Sequence, residues 1–139
     1  MELMSSEIEI LIIEDEHIIA LGLRKLLLDL SFKNITIINT AKEGIEYIRK
    51  SLPEIVFLDM NLHGELQGID VLKFIEFHKL HTHIIITTGD RKYALEAIHY
   101  TPMEYLLKPI DLDELMGALK KITNHFELHN NDILYLKGA

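Results

Sequence analysis

The sequence predicts a doubly wound α/β domain built on a five-stranded parallel sheet, and three features carry that expectation. Unbroken apolar runs, most plainly Ile55-Val56-Phe57-Leu58 and Ile84-Ile85-Ile86, read as strands buried on both faces. Such runs alternate strictly with segments of helical periodicity, which implies right-handed crossovers and helices on both sides of a parallel sheet. Several runs also end in a polar group: Glu14-Asp15, Asp59, Thr88 and Lys108. The carboxyl edge of an open α/β sheet is where ligands bind, so these groups are better placed for chemistry than for packing.

In chain order, Ile8-Glu9-Ile10-Leu11-Ile12-Ile13 is a β-branched first strand that stops at Glu14-Asp15-Glu16. The first helix carries Ile18, Ile19, Leu21, Leu23, Leu26, Leu27 and Leu30 as a wide apolar stripe, with Arg24 and Lys25 opposite. Ser31-Phe32-Lys33-Asn34 turns the chain into a second strand, Ile35-Thr36-Ile37-Ile38. Thr40 and Glu43 fit a capping box opening a helix that runs to about Lys50 and ends before Pro53. The third strand delivers Asp59. Asn61 to Gly68 is a loop by its glycines, and Ile69, Leu72, Phe74, Ile75 and Leu80 mark a third helix. His83 to Thr87 is the fourth strand, ending in Thr88-Gly89-Asp90. Tyr93 to Ile98 forms a short helix broken by Thr101-Pro102. Glu104 to Leu107 is the last strand and runs into Lys108-Pro109. Asp111 and Glu114 suggest a second capping box for a final helix to about His125.

These elements place one domain over residues 1–125, within the common size range. Residues 126–139, with the turn signal Asn130-Asn131-Asp132 and the apolar run Ile133-Leu134-Tyr135-Leu136, fall outside the five-stranded plan. They read as a linker or the start of an output domain.

With 139 residues, 48% hydrophobic, the chain has enough apolar surface for a folded core. No run approaches the roughly 18 apolar residues of a membrane span, and the acidic N-terminus is unlike a signal peptide. A cytoplasmic protein without a membrane partner is expected. The absence of cysteine excludes disulfides, thiol catalysis and zinc-thiolate sites. A net charge of -8 disfavours nonspecific DNA binding by this segment; clustered acids would instead suit a divalent cation.

Glu14, Asp15 and Asp59 brought to one cleft would repel one another unless a cation sat among them. Oxygen-only ligands suit Mg²⁺, with Asp15 and Asp59 as carboxylates, the Asn61 backbone carbonyl as third protein ligand, and Glu14 through a water. Such an ion leaves room for a phosphoryl group, whose remaining oxygens Thr88 and Lys108 would hold. Asp59 is then the nucleophile, since a carboxylate can accept a phosphoryl group as an aspartyl-phosphate.

At this point the sequence resembles the receiver domain of two-component response regulators, over roughly Glu9 to Ile122. The resemblance rests on an ordered set: Ile12-Ile13-Glu14-Asp15-Glu16, Leu58-Asp59-Met60-Asn61-Leu62, Thr87-Thr88-Gly89, Tyr105 three residues before the lysine, and Lys108-Pro109. It implies strand order 2-1-3-4-5, a cis Lys108-Pro109 bond, and phosphorylation of Asp59 by a histidine kinase or phosphotransfer protein. It also implies self-dephosphorylation rather than turnover of a substrate, and a switch in which Tyr105 follows Thr88. Glu14 departs mildly from the usual Asp-Asp pair. Thr87 and Thr88 compete for the hydroxyl role, and Thr88 has the matching position, twenty residues before Lys108.

Tyr93-Ala94-Leu95-Glu96-Ala97 and Tyr105 to Ile110 look like receivers joined to LytTR-type DNA-binding domains, which implies a transcriptional output lying beyond this segment. A free-standing phosphorelay or docking module would share the same core. A magnesium-dependent aspartyl-phosphate phosphatase would want an Asp where Asn61 stands. A homodimer through the fourth-helix, fifth-strand, fifth-helix face would involve Tyr93, Ile98, Tyr100 and Leu115. His78, His81 and His83 offer no four-ligand set and read as a surface cluster; His17 starts the first helix.

Overall fold

The structure, a computed structural model, describes residues 7–100 and 104–124. Its strands are β1 (Glu9–Ile13), β2 (Asn34–Ile38), β3 (Ile55–Asp59), β4 (His83–Thr88) and β5 (Glu104–Leu107). The helices are α1 (His17–Asp29), α2 (Ala41–Ser51), α3 (Gly68–Phe77) and α4 (Arg91–Ala97), which a 3₁₀ turn extends over Ile98–Tyr100; α5 spans residues 112–124. All neighbouring strands pair in parallel in the order β2-β1-β3-β4-β5. The predicted fold is therefore the observed one. Residues 126–139 lie outside the described residues, as do Thr101, Pro102 and His125.

Alternation along the central strands divides the core in two. Ile10, Ile12, Phe57 and Ile85 face α1 and α5, packing with Leu23, Leu27, Leu119 and Ile122. Leu11, Ile13, Val56, Leu58, Ile84 and Ile86 face the other helices, packing with Ala41, Ile48, Val71, Leu72 and Ile75. All five residues of β3 are buried, as an apolar run at the sheet centre requires.

Several local expectations are corrected. The stripe on α1 is narrower than its apolar content: Ala20, Leu23 and Leu27 face the sheet, whereas Ile18 and Leu21 are 85% and 40% exposed. Ile18, Leu21 and Leu28 follow the i, i+3, i+10 line of a second face, which points to solvent. Leu115, expected on a dimer face, is fully buried, because it shares a stripe with Ala118, Leu119 and Ile122 against the sheet. Tyr93 and Tyr100 are half-buried, and the side chain of Ile98 lies outside what is described.

The capping boxes also differ. Thr40 forms the hydroxyl half of its box, accepting from the Glu43 amide at 3.2 Å. Before α5, the Asp111 carbonyl accepts from the Leu115 amide, without side-chain bonds of a box among the described residues; the exposed carboxylates there are solvated instead. An unexpected clasp opens α3, where the Gln67 amide donates to Asp70 Oδ2 at 2.7 Å. Lys121 pairs with Glu104 Oε1 at 2.6 Å and clips α5 to β5.

Candidate functional site

The strand order places the acids together. β1 lies between β2 and β3, so successive connections leave the sheet in opposite directions at the β1/β3 junction and open a crevice at the carboxyl edge. Ile13 pairs with Leu58, so the next residues, Glu14 and Asp59, emerge side by side. Glu14, Asp15 and Asp59 each offer a carboxylate oxygen within 4.8 Å of the others. Among the described residues this is the group of acids and histidines close enough to share an ion. His17 begins α1 as expected, and His78 packs on the rings of Phe74 and Phe77.

Lys108 is carried in by β5. Its amide donates to the Thr88 carbonyl at 2.8 Å, and its peptide bond to Pro109 is cis, as the resemblance implied. Lys108 Nζ lies 2.6 Å from Glu14 Oε1 and 3.3 Å from Asp59 Oδ2. Burial would pull the Lys108 ammonium down, but Glu14 and Asp59 outweigh it and hold the pKa above the ordinary value. Burial pushes Glu14 up to about 7, with Asp59 adding repulsion and Lys108 and the Glu16 amide opposing. Asp59 Oδ1 accepts from the Asn61 amide at 3.0 Å, so the residue expected to lend a carbonyl to the ion also fixes the central carboxylate.

Gly68 lets α3 approach the end of β3. A Cβ there would lie 2.6 Å from the Asp59 carbonyl oxygen and 2.7 Å from Met60 Cα, too close for any side chain. By contrast, nothing lies within 4 Å of a Cβ at Gly89, beyond β4, so that side of the site is open.

The two threonines diverge. Thr87 is the register partner of Asp59. Thr88, one residue on, ends the strand; its hydroxyl donates to the Asp90 carbonyl and accepts from the Asp90 amide, both at 3.1 Å. Tyr105 pairs with Ile86, two residues before Thr88, so Tyr105 and Thr88 belong to the same face of the sheet. Tyr105 is half-buried against the α2–α4 core, and burial raises its pKa.

One residue of the site was not anticipated. Asp15 Oδ2 accepts from the His63 amide at 3.0 Å and from the His63 ring Nδ1. Burial pushes the Asp15 carboxyl up, and these His63 bonds bring it below the ordinary value. The contact joins residues 48 positions apart, and no spacing in the sequence announces it.

The donor set is oxygen alone and clustered, which fits a hard divalent cation such as Mg²⁺ rather than a thiolate or imidazole metal. The family profile described as "Response regulator receiver domain" matches residues 10–120. Among curated proteins, the chain is 31% identical over 121 residues to the sensory transduction protein LytR of Staphylococcus haemolyticus, covering 86% of this chain and 47% of the relative. It is 31% identical over 135 residues to the sensory transduction protein LytT of Bacillus anthracis, covering 95% and 54% respectively. The chain thus spans about half the length of these curated relatives. A response regulator receiver domain protein from Clostridium thermocellum superposes with a TM-score of 0.76 at 28% identity, over 87% of this chain and 98% of that one.

Proposed function

Because the chain belongs to the response regulator receiver family of two-component signalling, we propose that Asp59 accepts a phosphoryl group and thereby switches an output or partner surface. Receiver domains generally interact with histidine kinases and bind Mg²⁺ at an acidic pocket. The observation that carries the proposal is the meeting of Lys108 Nζ with both Glu14 and Asp59 beside Asp15 at the carboxyl edge.

In the transfer, an Asp59 carboxylate oxygen attacks phosphorus while the phosphorus–nitrogen bond to a donor histidine breaks, its electron pair staying on the imidazole. Lys108 holds a phosphoryl oxygen by charge and Thr88 by its hydroxyl, and the protein's task is largely positioning. Asp15, Asp59, the Asn61 carbonyl and, through a water, Glu14 would hold Mg²⁺, which supplies neutralisation of the charge on the transferring group. Lys108 must loosen from Glu14 to reach the phosphoryl group, and the Thr88 hydroxyl must leave the Asp90 backbone.

The departure of Thr88 opens space on the face it shares with Tyr105, and the phosphate's differential contacts bias the packing there. That face, α4–β5–α5, exposes Leu95, Leu107, Leu112 and Met116, which supports a homodimer or partner contact on those elements. The relatives named sensory transduction proteins support an output domain beyond residue 125, through which DNA would be bound in a cytoplasmic transcriptional response. Among the described residues no helix is long and apolar enough to cross a membrane.

The test is intact mass after incubation with acetyl phosphate, with and without Mg²⁺, on the protein and on Asp59→Asn. Addition of one phosphoryl group that requires both Mg²⁺ and Asp59 supports the proposal. No addition under any condition, together with no Mg²⁺ binding, would leave a docking module of receiver fold.

A further inference from the structure

We infer that His63 is a positioning residue for the cation site, clasping the ligand Asp15 and anchoring the loop that carries the Asn61 carbonyl. The inference rests on the phosphoacceptor reading above and extends it to a residue outside the acidic set.

Each acid at the carboxyl edge is fixed by a donor from the protein. Glu14 is held by Lys108 and by the Glu16 amide, and Asp59 by Lys108 and the Asn61 amide. Asp15 is held by His63, whose amide and ring both address Oδ2. A carboxylate has two oxygens and about four lone-pair directions, so the two His63 donors on Oδ2 do not occupy Oδ1. Fixing one oxygen therefore orients the other. A hydrogen-bond partner of this kind behind a metal ligand typically contributes 10–100-fold in metal affinity.

The same bond has a second consequence through the backbone. His63 lies two residues after Asn61, in the loop between β3 and α3. That loop is tied at one end by the Asn61 amide to Asp59 and further on by the Leu62 amide to Gln67 Oε1. The ring bond to Asp15 adds a tie across the crevice, from the β3–α3 loop to the β1–α1 loop. Two groups expected to hold the ion, the Asp15 carboxylate and the Asn61 carbonyl, are thus steadied by one side chain. The ring donates through an Nδ1–H, present both in one neutral tautomer and in the imidazolium, so the clasp does not depend on the ring's charge. Mg²⁺ selects oxygen over imidazole nitrogen, and this nitrogen faces Asp15, so His63 acts through Asp15 rather than as a ligand.

The side chain of His63 is 90% exposed, so its replacement leaves the core intact. The experiment is calorimetric titration with MgCl₂ at one pH on the protein, His63→Ala and His63→Asn, with thermal unfolding recorded alongside. An asparagine amide nitrogen can stand where the imidazole has Nδ1. His63→Ala should bind Mg²⁺ about tenfold more weakly at unchanged Tm, and His63→Asn should recover most of the loss. Equal or tighter binding by His63→Ala would overturn the inference while leaving the phosphoacceptor reading in place, and so would a loss that asparagine fails to recover. Absence of Mg²⁺ binding by the unaltered protein would overturn both.

Discussion

Gly68→Ala isolates the role of α3 in holding the centre of the site. The new Cβ would stand 2.6 Å from the Asp59 carbonyl oxygen and 2.7 Å from Met60 Cα. Both are backbone atoms, so no side-chain rotation relieves the clash, and α3 must back away from β3. Overpacking of this kind costs about 1–3 kcal/mol. The stiffer unfolded chain returns about 0.4–1 kcal/mol, since Gly68 has no positive φ that alanine would resist. At the midpoints of those ranges a net loss of about 1.3 kcal/mol follows, or a Tm lower by about 5 °C for a domain of this size. Gly22→Ala in α1 is the control: nothing lies within 4 Å of its Cβ, and alanine there should stabilise by about 0.5–1 kcal/mol. Because the displaced atoms belong to Asp59 and Met60, Gly68→Ala should also slow labelling by acetyl phosphate, measured by intact mass. A Gly68→Ala protein as stable as the original, labelled at the same rate, would refute the claim that close α3–β3 packing positions Asp59.

Titration and the threonine hydroxyl offer further tests. Glu14 titrates at about 7 in the folded protein against an ordinary 4.5, so the folded state keeps a proton that the unfolded chain loses between those values. Without Mg²⁺, stability should therefore fall as pH rises from about 4.5 to 7, and Glu14→Gln should flatten that slope in urea midpoints; an unchanged slope would assign it to other groups. Asp15, whose pKa is lowered, contributes in the opposite sense, with stability lost as pH falls below the ordinary carboxylate range. Thr88→Ala should slow labelling about tenfold, the worth of one hydrogen bond to a charged oxygen, while Thr87→Ala stays within about twofold. The reverse ranking would give the hydroxyl role to Thr87, the register partner of Asp59.

Most of the fold was legible because β1, β3 and β4 are buried on both faces and so carry unbroken apolar runs that no other element of this length explains. The ends of those runs then located Glu14, Asp59 and Thr88 without any knowledge of pairing, and the short run before Pro109 located Lys108. What failed was orientation about a helix axis. α1 is apolar on more than one face, so counting hydrophobic residues did not reveal that Ile18 and Leu21 would point to solvent. Leu115 was misplaced for the related reason that α5 also carries exposed apolar residues, Leu112 and Met116.

The loop between β3 and α3 was legible only as a loop. Gln67 and Asp70 do have the i, i+3 spacing of a cap, a signal that could have been found. His63 had none: its partner arrives from a different strand, and only the sheet order brings the two together.

On the phosphoacceptor reading the phosphoryl group resides on Asp59. Reducing the acetyl phosphate-treated protein with borohydride converts an aspartyl-phosphate to homoserine, whose position fragment masses then locate. Homoserine is expected at position 59 alone, dependent on Mg²⁺. Homoserine at position 15, or phosphate retained on a residue that borohydride does not reduce, would contradict it.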